Sequence, residues 1–226
     1  AFALSSDVSG ATYNWTVAGT NVSGASAGNG NAITQTLTAT SGTQGTAVYT
    51  VTGTANGCPG PSVTATAAVN PRPVATATPA NETICSGTAT GINLSADVVG
   101  TTFNWTVVQN GVSGATNGSG NQIAHLINTT GSTQGTAVYT ITPSANGCDG
   151  TPVNVIITVN PLPVGTVTPG SQAICSGGST SLTLSADQPA TTFTWTVTAP
   201  GVTGATAGNG NTIAQTLSVA APTAST

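Results

Sequence analysis

Apolar residues alternate with Thr, Ser and Asn in short stretches along this chain, and each stretch ends at Gly, Pro or Asn. A period of two places successive side chains on opposite faces, the signature of a strand with one face buried. Between residues 75 and 164 the pattern predicts strands at 75–78, 92–96, 102–107, 112–116, 122–128, 136–142 and 153–159. Turn signals between them leave no room for a helix. The expected fold is therefore all-β, an immunoglobulin-like sandwich of seven strands. Phe103 and Trp105 stand two apart and share a face, as do Tyr13 with Trp15 and Phe193 with Trp195. Ala137, Tyr139 and Ile141 form the matching inward set, repeated at Ala47, Tyr49 and Val51. A small sandwich needs these aromatics to fill its core.

The pattern returns at a fixed interval. Trp15, Trp105 and Trp195 are 90 residues apart, as are Cys58 with Cys148 and Cys85 with Cys175, and no gap is needed. GNGNAITQTL from Gly28 comes back as GSGNQIAHLI from Gly118 and GNGNTIAQTL from Gly208, and GTAVYT occurs at Gly45 and Gly135. The run Asn70, Pro71, Arg72, Pro73, Val74 recurs as Asn160, Pro161, Leu162, Pro163, Val164. Such a Pro-x-Pro linker favours stiff polyproline II over a loose joint. Three units are expected: 1–74, a repeat lacking its first strand; 75–164, a complete repeat; and 165–226, a repeat lacking its last two strands.

Charge removes several functions. Charged residues make up 3% of the chain, with Arg72 the only basic residue and Asp7, Glu82, Asp97, Asp149 and Asp187 the acidic ones. Phosphate recognition needs clustered positive charge, so neither nucleic acid nor an anionic membrane surface is an expected partner. No apolar run approaches the roughly 20 residues of a membrane span. A chain without Lys cannot form intramolecular Lys–Asn isopeptide bonds.

Candidate chemistry is sparse. His125 is the only histidine, and its counterparts one period away are Gln35 and Gln215. A catalytic base would not be replaced by amides in equivalent units, so His125 is expected at an exposed strand position and no enzyme is predicted. The carboxylates stand singly, without the pairing of acid–base catalysis or the clustering of a calcium loop. Asp7, Asp97 and Asp187 are equivalent and are expected to open a turn by bonding local backbone. No cofactor is expected, although one such carboxylate with backbone carbonyls could hold Ca²⁺ at a domain junction. The GNGN segments resemble phosphate loops but lack a following helix and a Lys, so positive φ accounts for their glycines. Among the Asn-x-Ser/Thr triplets, Asn14 and Asn104 flank a core Trp on the outer face and are the candidate glycosylation sites.

Four cysteines, Cys58, Cys85, Cys148 and Cys175, in so uncharged a chain point to structural disulfides and an oxidising, extracellular location. Their pairing is open. Two cysteines per unit favour Cys85 with Cys148, yet an immunoglobulin-like order puts these at opposite ends of strands roughly 20–27 Å long. Bonded cysteines need Cα atoms within about 7 Å. That pairing requires Cys85 to begin an extra segment beside the last strand; the alternative joins Cys85 to the hairpin of the following repeat.

TICSG at Thr83, AICSG at Ala173, TTFNWTV at Thr101, GVSGATNGSGNQIAHLI at Gly111, GTAVYTITPSANGC at Gly135 and NPLPV at Asn160 together resemble the PKD-like domains of Bacteroidetes surface proteins. The WDFGDG signature found around this Trp in other PKD domains is absent, since Thr106 and Val107 follow Trp105. The resemblance implies long arrays in secreted adhesins, gliding-motility adhesins among them, exported by the type IX system. The leading expectation is thus a stalk segment of a cell-surface adhesin whose partners are neighbouring repeats, like chains in a fibre, or a surface or glycan ligand. The alternatives are a self-assembling filament or sheath subunit, and a carbohydrate-binding module of a secreted enzyme with exposed aromatic rings.

Overall fold

The computed structural model describes residues 1–219 of the chain; the end of the third expected unit, 220–226, lies outside the described residues. Every helix or strand element among the described residues is a strand. Cores form separately: one around Trp15, Ile33, Ala47, Tyr49 and Val51, another around Trp105, Ile123, Tyr139, Ile157 and their neighbours.

The central unit is built on the hairpin of Gly135–Ala145 and Val153–Asn160. On the first strand every second residue from Gly135 to Ala145 is buried, so one face is apolar throughout. Asn146 and Gly147, at φ of 52° and 77°, make the turn. Positive φ at both central positions is what a two-residue type I′ turn requires, and Asn-Gly supplies it at low steric cost. Thr102–Asn110 pairs antiparallel with Gly135–Ala145 over nine residues, from Thr102 opposite Ser144 to Asn110 opposite Thr136. Asn81–Cys85 flanks the other side, parallel to Val153–Asn160, with Asn81 opposite Ile156 and Cys85 opposite Asn160. Across the core lies a second layer of Ala75–Thr78, Ile92–Ala96 and Gln122–Ile123, continued by Thr88–Ala89, Leu126–Thr129 and Val112–Ser113. Ile92, Ile123 and Ile127 from this layer meet Tyr139, Ile141, Val155, Ile157 and Val159, all fully buried. Complete burial of an aliphatic side chain contributes roughly 1.5–3 kcal/mol, so this contact stabilises the unit more than any surface bond.

Several strands differ from the pattern-based reading. The stretch 122–128 divides into two strands because Thr90 inserts between them: its hydroxyl donates to Ile123 O and accepts from His125 N, both at 3.0 Å. Thr180 repeats this with Ile213 and Gln215 at 3.0 and 2.9 Å. The stretch 112–116 is a strand only at Val112–Ser113, whereas 102–107 extends to Asn110 and 136–142 extends to Gly135 and Ala145. Asn81–Cys85 is additional to the seven predicted strands. Its inward positions are Glu82 and Ile84, and the charge at the first hides the apolar alternation.

The first unit opens at Phe2–Ala3, paired to Ala32–Ile33, and repeats the long pairing of Thr12–Thr20 with Gly45–Ala55. In the third unit the counterpart of Thr102–Asn110 shrinks to Thr194–Trp195, since the described residues there include no counterpart of the long hairpin.

Candidate functional site: the junction between repeats

The linker from Asn70 to Val74 is bound on both sides. Gln44 Nε2 donates to Asn70 Oδ1 at 2.7 Å and so aims the Asn70 amide, whose Nδ2 donates to Asn146 O of the central unit at 2.9 Å. The Arg72 guanidinium donates to Asp149 O at 2.7 Å, and Val74 N–H donates to Asp97 Oδ1 at 2.7 Å. Asp97 therefore holds the linker 23 residues earlier in the chain, which corrects the expectation that it bonds the local backbone of its own turn. Asp187 does the same for Val164 N–H, again at 2.7 Å, and Gln134 aims Asn160 at 2.7 Å.

Two glycines let the units close on one another. A Cβ at Gly42 would lie 2.7 Å from Asp97 O, and one at Gly150 would collide with Pro73 O. Pro71 and Pro73 are buried, and Pro73, whose carbonyl lies over Gly150 of the central unit's hairpin, is sealed from solvent. Pro161 is half-buried and Pro163 exposed. The base of the first unit bears the matching surface uncovered, a groove of about 750 Å³ lined by Leu4, Tyr13, Val51, Cys58 and Gly60.

All four cysteines are unpaired in this chain; Cys58, Cys85 and Cys175 are exposed and Cys148 is half-buried. Disulfide pairing of Cys85 with Cys148 inside one unit is ruled out. Cys85 ends its segment, opposite Asn160 and level with the Gly135 end of the hairpin, while Cys148 lies opposite Ala145 at the other end. Ten residues of strand separate these levels, about 33 Å at 3.3 Å per residue.

His125 is half-buried, which corrects the expectation of an exposed position. Its Nδ1 lies 2.7 Å from the Tyr139 hydroxyl and its Nε2 lies 3.3 Å from Thr116 Oγ1. In the first unit Tyr49 O–H donates to Gln35 Oε1 at 2.8 Å, and by that parallel Nδ1 of His125 accepts from Tyr139. Histidine and glutamine thus do the same thing at this position, each supplying an acceptor to a core tyrosine. Burial pushes His125 below its ordinary 6.5 and Tyr139 up to about 12. The unfolded chain then takes up the histidine proton first as pH falls through 6.5, so folded stability drops on the acid side. Above pH 10 the unfolded chain loses the tyrosine proton first, and stability drops again toward pH 12. His125→Gln should leave stability at neutral pH nearly unchanged and abolish the acid-side loss alone, read as the urea midpoint against pH. A midpoint that still falls below pH 6.5 in the variant would reject this assignment.

Trp15 and Trp105 are buried, as are Tyr49, Phe103 and Tyr139; Tyr13, Phe193 and Trp195 are half-buried. Each Trp donates its indole N–H at 3.2 Å, Trp15 to Ser26 O, Trp105 to Thr116 O and Trp195 to Thr206 O. The GNGN glycines have a second purpose that positive φ does not cover. A Cβ at Gly28, Gly118 or Gly208 would come within 2.7, 2.9 and 2.6 Å of the indole ring. Asn14 and Asn104 are exposed, on the face opposite the adjacent Trp. No group of three or more His, Cys, Asp or Glu side chains is placed to hold a metal among the described residues, and no helix is long and apolar enough to cross a membrane.

Tandem sandwiches joined by bonded, partly buried linkers define a repeat protein of immunoglobulin-like architecture. Residues 2–73 and 82–163 match the PKD-like domain family, more than half of the chain, and the chain belongs to that family. No curated protein matches it in sequence.

Proposed function

We propose that this chain is a stalk segment of an extracellular surface adhesin, whose repeats hold a distal binding end away from the cell. The observation that carries this reading is the joint: the same Asp-to-linker bond recurs at 2.7 Å at both junctions, and the first linker is covered by the next unit's hairpin. A stiff joint converts a string of small domains into a rod, because relative motion would have to break bonds at each step. Tandem PKD-like domains suit an extracellular structural or adhesive role, and the scarcity of charge suits a non-enzymatic one. Export by a type IX system, a Bacteroidetes source and a part in gliding belong to the same reading, and rest on the quoted sequence motifs.

The carbohydrate-binding alternative needs exposed rings, whereas Trp15, Phe103, Trp105, Tyr49 and Tyr139 are packed inside sandwiches. Rod formation is tested by electron microscopy of the chain. Beads in line at about 40 Å spacing are expected from strand length plus linker. Compact particles with no bead order would reject the stalk.

A further inference from the structure

We propose that the array is latched by disulfides between successive repeats, each joining the cysteine of the flanking parallel strand to the hairpin cysteine of the following unit. The inference rests on the array reading above and names its covalent element.

Three observations lead to it. Within a unit the two cysteines stand at opposite ends of the hairpin, about 33 Å apart along the strand, so neither can serve the other. Cys85 lies opposite Asn160 in the parallel register, one strand spacing of about 4.8 Å away. Asn160 is the counterpart of Asn70, and Asn70 is the residue that reaches across the junction to Asn146 O at 2.9 Å, two positions before Cys148. The period therefore puts a flanking-strand cysteine beside Asn70, at the edge where the next unit's hairpin presents Cys148.

Exposure fits as well. Cys85 is open to solvent at the outgoing end of its unit, Cys175 is exposed as well, and Cys58 is open in the groove at the base of the first. Cys148, whose hairpin is docked on a linker, is the one cysteine partly covered. By the period, the partner that this scheme assigns to Cys148 is the counterpart of Cys85 in the unit before it. Bond formation takes two protons and two electrons from the two thiols and transfers them to a disulfide oxidant, which leaves as two thiols.

The test adds one short segment to the whole chain. A copy of residues 75–90 placed directly before Ala1 continues the period and supplies the flanking strand with its cysteine. After equilibration with oxidised and reduced glutathione, thiols are counted by alkylation under denaturing conditions, and linked peptides are mapped without reduction. The 226-residue chain should keep four thiols. The extended chain, with one cysteine more, should show one thiol fewer, and its linked peptide should join the added cysteine to Cys148. Cys148→Ser in the extended chain should abolish that link and bring the count back to that of the original chain. An added cysteine as freely alkylated as Cys175, or any Cys85–Cys148 peptide, would overturn the latch. Micrographs that keep the beaded rod while the latch fails would leave the stalk standing by itself.

Discussion

Trp105→Ala should uncouple the central unit from its neighbours and lower its stability by about 3–5 kcal/mol, the cost of truncating a buried Trp. The indole is 6% exposed, its ring lies on Gly118, and its N–H satisfies Thr116 O. Alanine leaves a cavity that Gly118 cannot fill and removes the Thr116 carbonyl's donor. Small domains have total stabilities of about 5–15 kcal/mol, so one unit should melt well before the others. Urea unfolding followed by circular dichroism should divide into two transitions. Fluorescence from the remaining Trp15 and Trp195 should follow the flanking units and miss the early one. The same change at Trp195 should cost less, because that ring is only half-buried. A single transition at the unaltered midpoint would mean that the indole is dispensable.

Gly150→Val should break the joint between the first and central units. The added side chain comes within 2.9 Å of the buried Pro143 ring in the unit's own strand and collides with Pro73 O, a backbone atom that can yield only if the linker lifts away. Lifting it forfeits the Asn70 to Asn146 and Arg72 to Asp149 bonds, each worth about 0.5–1.5 kcal/mol. The loss should appear as a broadened distribution of distances between spin labels on the first and central units, under conditions where the central unit's urea curve shows it folded. Gly60→Val is the matched control, since a Cβ at that equivalent position meets nothing closer than Gly53 O at 3.5 Å. If both variants broaden the distribution equally, the hairpin is not what holds the linker.

What the sequence discloses and what it hides divide along a physical line. Residues that act by burial are legible: Tyr139, Ile141 and Trp105 recur at a period of two within strands and at a period of 90 between units. Residues that act by reaching are not. Nothing in the run containing Asp97 signals that its carboxylate will accept the Val74 amide, since that pairing exists only after the linker turns back over the sandwich. Gly150 and Gly118 look like ordinary turn glycines, yet each is small because a proline carbonyl or an indole ring occupies the space above it. The flanking strand stays hidden because one of its two inward positions is the charged Glu82, so Ile84 stands alone as an apolar residue. Gln35, in the place of His125, argues against a catalytic base and also holds a further clue. Two chemically different acceptors at one position signal a common hydrogen-bonding role, and Tyr49 and Tyr139 are the residues served.

The Val74 to Asp97 bond and the Val164 to Asp187 bond have one length, and each ties a linker to the unit that follows it. A joint that carries each unit onto the next by the same rotation and translation is a screw operation, and a screw repeated generates a helix. Any surface patch that recurs once per period then winds around the fibre at a constant angular step. The joint therefore decides which copies of the patch face the same side and how many can engage one flat surface together. Since simultaneous engagement multiplies weak affinities, a substitution that alters only the step angle would change the valency of the fibre without touching the patch.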